Sequence, residues 1–197
     1  MTNNKPAFSR HLRMLTATAM LSAIAVVLVY LIHFPLLPAA AFLEYDPADV
    51  PIFFVALVFG PWWALGMTAV VSLIQGLTVS AASGVTGIIM HFVATGSFAV
   101  IAGFISGSYR NSTTPSMIKQ PSLTKAIVAF SIGVLTMTSL MAGMNLIFTP
   151  LFMGTPLKTV LQMLIPVIIP FNLLKSIINA VIAFLLYAAL RKPLSKL

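Results

Sequence analysis

The stretch Pro170–Leu190, PFNLLKSIINAVIAFLLYAAL, is long and apolar enough to cross a bilayer, yet it carries Asn172, Lys175 and Asn179. At about 3.6 residues per turn these three side chains and Ser176 share one face, so the helix presents a single polar stripe to something other than lipid. Asn145, near the outer end of the preceding predicted helix, falls at a similar depth to Asn172 and Lys175. A carboxamide offers a donor and an acceptor, and an ammonium offers donors only. Together they suit the edge of a flat heterocycle that mixes carbonyl acceptors with an N–H. The competing reading is that Lys175, about 8 Å inside the helix end at 1.5 Å per residue, snorkels its charge to the headgroups. Asn179, a turn deeper, reads as an interhelical hydrogen bonder.

Other groups fit other chemistries less well. Glu44, Asp46 and Asp49 are close enough in sequence to wrap a hard cation. The stronger reading has Asp46 or Asp49 capping the helix that follows, with Pro47 or Pro51 in its first turn. No metal site is therefore assigned, and Glu44 and Tyr45 are left as candidate gate residues by their position. Ser83, Gly84 and His91 raise the idea of an intramembrane hydrolase, but the spacing gives no nucleophile elbow and no third group to orient His91. No catalytic residue is assigned; His91 and Gln75 read as interhelical hydrogen bonders. A glycine-rich phosphate loop of the P-loop type is missing, so energy for any transport must come from a partner or an ion gradient.

The elements that must position these groups follow from composition. A chain of 197 residues that is 59% hydrophobic and 7% charged, with mean hydropathy +1.05, has too little polar surface to coat a soluble globule. It reads as one all-α integral membrane domain of six helices, over about 14–32, 50–59, 65–79, 84–107, 125–148 and 170–190. The first apolar run follows a basic leader as a signal peptide would, but its length and the lack of a small-residue cleavage site keep it as a helix. Trp62 and Trp63, after Gly60-Pro61, suit an interface. Ala19 and Ala23 place small side chains on one face of the first helix, as Gly103 and Gly107 do on the fourth, and such faces let helices approach closely. The sequence lacks cysteine, so disulfides and thiolate sites are excluded.

Charge then sets orientation. The net charge of +8 would suggest nucleic acid in a soluble protein. Here Lys5, Arg10 and Arg13 precede the first helix, Arg110, Lys119 and Lys125 flank the loop at 108–124, and Arg191, Lys192 and Lys196 end the chain. With six spans these three clusters lie on one side, which makes both termini cytoplasmic and the acidic segment 44–49 extracytoplasmic.

The run LTATAMLSAIAVVL in the first helix, the segment YDPADVP with FGPWWAL after it, and PFNLLK in the last helix resemble the substrate-binding (S) components of energy-coupling factor (ECF) vitamin transporters, above all the riboflavin-specific branch. The likeness covers essentially the whole chain. It implies a plasma-membrane, multi-pass protein that binds its vitamin from outside without a cofactor, and that joins a transmembrane coupling subunit and two cytoplasmic ATPases, which hydrolyse the ATP. It implies that Ala19 and Ala23 dock the coupling subunit, that Asn145, Asn172 and Lys175 contact the isoalloxazine ring of riboflavin, and that the segment from Leu43 to Asp46 gates the pocket. The pairing of Asn172 with Lys175 rests on PFNLLK itself, whereas Asn145 is matched only by its place in the fifth helix. The alternatives are an S component for another vitamin such as pantothenate, or a self-sufficient secondary transporter. Against the latter, neither inverted repeats nor a second ionisable site is visible in the spans.

Overall fold

In the computed structural model, residues 7–37, 40, 42–107 and 120–194 are described; Lys5, Arg110, Lys119 and Lys196 of the expected basic clusters lie outside them, as does most of the loop at 108–124. Among the described residues the regular structure is helical apart from one tiny hairpin. Helix α1 spans Ala7–Leu31, α2 Asp49–Val58, α3 Pro61–Leu77, α4 Gly84–Ser106, α5 Leu123–Met153, α6 Leu157–Met163 and α7 Ile169–Leu194. Strands β1 (Phe34–Pro35) and β2 (Glu44–Tyr45) pair antiparallel within the α1–α2 connection, Phe34 opposite Tyr45.

Among the described residues four helical segments are long and apolar enough to cross a membrane: His11–Leu31, Ala81–Ser106, Leu123–Met153 and Leu157–Pro193. Helix α2 is different in kind. Its 10 residues rise only about 15 Å, half of a hydrocarbon core, and every one of them is buried. It is a plug around which the other helices pack rather than a lipid-facing span. Phe53 of α2 stacks on Phe98 of α4 with ring centroids 3.6 Å apart, and Phe130 of α5 lies tilted against both. Gly133 makes room for the Phe98 ring, since a Cβ there would come within 2.9 Å of it.

Two positions fix the turn between α2 and α3. Gly60 holds φ 98°, which side chains rarely adopt, and Pro61 then opens α3 at a position where its missing N–H costs nothing. Pro61 in turn lies against Gly103 of α4, where a Cβ would approach the Pro61 nitrogen to 2.6 Å. Gly103 thus packs inside the protein, whereas Gly107 ends α4 at φ 73°.

The last span departs from the expectation. It does not begin near Pro170: helix runs from Leu157, and a π-turn at Leu164–Ile168 carries it past Pro166 and Pro170. Within this turn the Ile169 N–H bonds the Leu164 carbonyl, so the ladder shifts its register where proline removes donors. Likewise α5 continues through Pro150 to Met153. Prolines in the apolar interior bend the ladder here without ending it.

The capping expectation also fails. Ala48 occupies the cap position of α2 with no side-chain cap bond. Asp46 instead accepts the Ala48 N–H at 3.0 Å, tightening the turn before the helix, and the Asp49 carboxylate is used within the bundle.

Candidate ligand-binding site

A cavity of about 190 Å³ opens among α3, α4, α5, α7 and the loop before α2. The sequence-predicted residues Asn145, Asn172 and Lys175 all line it, and so do Leu43, Glu44 and Asp46 of the candidate gate. On α5 the lining recurs at Met137, Met141, Asn145 and Thr149, a four-residue spacing that keeps one face toward the cavity. On α7 the face is Phe171, Asn172 and Lys175.

Both asparagines are almost fully buried, at 2% and 3% exposure. Asn145 donates to the Met141 carbonyl at 2.8 Å and accepts from Thr149 Oγ1 at 2.8 Å. Asn172 donates to the Ile168 carbonyl at 2.8 Å, and among the described residues its Oδ1 accepts no hydrogen bond. Each side chain is therefore held in place by its own helix with hydrogen-bonding capacity left over. The Ile168 carbonyl belongs to the π-turn, so the irregularity that carries the chain past its prolines also orients Asn172.

Lys175 does not snorkel. Its side chain is 12% exposed and its Nζ donates to Asp46 Oδ2 at 2.7 Å. Nζ also donates to the Glu44 carbonyl at a long 3.5 Å, and an ammonium has a third N–H, so these contacts leave it able to bind something else. A nearly chargeless membrane chain with a lysine inside a span needs a carboxylate near it, and only three acids exist; that balance is the signal by which the pair could have been found from sequence.

Tyr45 is the residue of the candidate gate that is not among those lining the cavity. Its ring packs on Phe34 with centroids 5.5 Å apart, and its hydroxyl donates to Asn179 Oδ1 at 2.9 Å. Burial, and after it the neighbouring Asp46 charge, hold the phenol above its ordinary value, so it stays a neutral donor. Asn179 in turn donates to the Asp46 carbonyl at 3.0 Å and to Asp49 Oδ2 at 3.3 Å. Lys175 and Asn179, one turn apart on α7, thus staple the loop 44–46 to the bundle.

Sequence reasoning missed what Asp49 does. This fully buried carboxylate accepts from Thr95 Oγ1 at 2.9 Å, His91 Nε2 at 3.1 Å and Asn179. His91 Nδ1 meets Ser72 Oγ at 2.8 Å. His91 therefore does have a third group to orient it, contrary to the expectation, and the chain Ser72–His91–Asp49 ties α3, α4 and α2 together. A buried charge needs this many partners to be tolerated. Among the described residues no group of three His, Cys, Asp or Glu could hold a metal ion.

Ala19 and Ala23 lie elsewhere, exposed on a groove between α1 and α3 that Trp62, Trp63 and Gly66 also line. The polar Thr18 Oγ1 is buried beside them without a hydrogen-bond partner among the described residues.

Residues 13–187 match the family model described as ECF transporter, substrate-specific component. The chain belongs to this family of S components. As an S component it serves transport and is not an enzyme. It is 30% identical to the riboflavin transporter RibU of Streptococcus thermophilus over 96% of this chain and 88% of that protein, and 27% identical to the riboflavin transporter FmnP of Bacillus subtilis over 90% and 91%. Among solved structures, the S component of a bacterial ECF transporter superposes with TM-score 0.72 at 29% identity, covering 93% of this S component and 98% of that one. The S component for biotin from an ECF-type ABC transporter matches at TM-score 0.57 and 18% identity over 95% of each chain, a likeness of fold alone.

Proposed function

We propose that this S component binds riboflavin in the cavity lined by Asn145, Asn172 and Lys175 and delivers it across the cell membrane with a coupling subunit and two ATPases. The observation that carries the reading is the convergence of those three side chains on one cavity in a chain whose relatives are riboflavin transporters. The pyrimidine-like edge of a flavin sets two carbonyls around an N–H. Asn172 Oδ1 accepts from that N–H, and the remaining donors of Lys175 and the asparagines serve the carbonyls. Phe148, Phe152, Phe171 and the methionines of α5 supply apolar walls for the dimethylbenzene end. Riboflavin is uncharged, which suits a lysine already neutralised by Asp46. An anionic vitamin such as pantothenate would have to compete with that carboxylate.

The membrane arrangement that goes with this reading has both termini in the cytoplasm and the cavity opening outward. Three contacts support it: His11 sits by Trp63, Trp62 packs edge-on to Phe104, and the Gln120 side chain bonds the Arg191 carbonyl. They bring the start of α1, with Arg13, to the end of α4, and the approach to α5, with Lys125, to the end of α7, with Arg191 and Lys192; setting both basic groups on the cytoplasmic side satisfies the positive-inside rule. The exposed groove at Ala19 and Ala23 is the surface for the coupling subunit, because small side chains there leave space for a partner helix.

The test is titration of the purified protein with riboflavin, following flavin fluorescence alongside a thermal-shift panel of vitamins. Quenching at nanomolar to micromolar ligand with stabilisation by riboflavin alone is the expected result. No quenching, or stabilisation by another vitamin instead, overturns the assignment.

A further inference from the structure

The cavity has a second set of polar lining residues, on α3 and α4 rather than on the α5 and α7 helices that carry the asparagines and lysine. Helix α3 contributes Ser72 and Gln75, which share a face at a three-residue spacing, and the α3–α4 turn with the start of α4 contributes Ser80, Ser83 and Thr86. Gln75 Oε1 is buried and accepts no hydrogen bond among the described residues. Burial takes this carbonyl out of reach of water and leaves its desolvation uncompensated, so the position calls for a donor from outside the chain. Ser72 lies one turn away on the same helix. The Asp49 carboxylate can only accept, so His91 Nε2 carries the proton between them, and Ser72 Oγ meets His91 Nδ1 at 2.8 Å. A hydroxyl both donates and accepts, so Ser72 keeps hydrogen-bonding capacity for a ligand.

The wall is also rigid. Gly76, next to Gln75, lies directly under the Ile88 side chain of α4, where a Cβ would collide, so α3 and α4 are pressed together at this level. Its polar groups are neutral hydroxyls and a carboxamide; Lys175 is paired with Asp46 on the loop side, and His91 is committed to Asp49 and Ser72. Uncharged acceptors in a row, one of them unsatisfied, match a ligand that presents several neighbouring hydroxyls, each able to donate and to accept. A flat heterocycle with a single polar edge uses only the Asn145, Asn172 and Lys175 wall and leaves Gln75 unpaired.

We infer that Gln75, with Ser72 beside it, forms a polyol subsite that accepts the hydroxyls of the ribityl chain and makes the pocket specific for a flavin carrying that chain. This rests on the riboflavin reading above. The test compares the affinities of riboflavin and lumiflavin, which has the same ring and a methyl group in place of the ribityl chain, for wild type, Gln75→Leu and Gln75→Met. The expected result is that the ratio of riboflavin to lumiflavin affinity falls about tenfold in both variants, the equivalent of one lost hydrogen bond to a buried acceptor. An unchanged ratio, whether both ligands bind as before or both are weakened alike, overturns the subsite and leaves Gln75 as a packing residue. If wild type bound neither flavin, the riboflavin reading itself would fall and the subsite with it; a wild type that binds both separates the two failures.

Discussion

Lys175 and Asp46 stand 129 residues apart in sequence and meet at 2.7 Å across the mouth of the cavity. The pair fastens the loop before α2 to α7, and it balances the lysine that lines the cavity. Removing either partner alone strands a charge in a poorly solvated place, at a cost of up to about 3–5 kcal/mol. Lys175→Met and Asp46→Asn should therefore each lower the unfolding temperature, while the double variant recovers much of the loss. Ligand affinity should stay low in Lys175→Met and in the double variant, because the donor to the ligand is gone in both. A thermal-shift series in detergent beside a binding titration separates the two effects, and a double variant no more stable than Lys175→Met would deny the pair its structural role.

The two asparagines should not be equivalent. Asn145 has donor and acceptor both engaged within α5, whereas Asn172 keeps a free Oδ1. Asn172→Ala is expected to weaken flavin binding by about 1–3 kcal/mol, the usual cost of unpairing a buried polar group, and Asn145→Ala by less. Isothermal or fluorescence titration of the two variants gives the order directly.

Ala19 and Ala23 are exposed and line a groove that no described segment fills. Replacing both by Leu should leave flavin affinity and thermal stability close to wild type while abolishing uptake in cells that supply the coupling subunit and ATPases. Lost binding in the purified variant would instead mean that the alanines pack within the bundle.

Close approach at Gly103 sets a sharper stability contrast. A methyl group there meets the backbone of Pro61, which cannot move without shifting the start of α3, so Gly103→Ala should destabilise by about 1–3 kcal/mol. At Gly66 the same addition meets open space, and Gly66→Ala should be neutral or mildly stabilising because alanine is the better helix former. Thermal unfolding of the pair of variants compares them under one set of conditions.

What the sequence determined by itself was everything carried by local pattern and composition. The excess of apolar residues over charge made the chain a membrane protein, the apolar runs located the helices to within a few residues for α2, α4 and the start of α5, and the spacing of Asn172, Lys175 and Asn179 marked a polar face. Tertiary structure decided what distance in sequence conceals. That Asp46 answers Lys175, that Asp49 gathers His91, Thr95 and Asn179, and that Gln75 of α3 lines the same cavity as the α5 and α7 asparagines depend on which faces of separate helices meet. Proline misled the reading of the last span for a related reason: its local preference is to begin or end a helix, but an apolar surrounding cannot solvate a broken backbone, so the ladder passes through a π-turn at Leu164–Ile168 and continues.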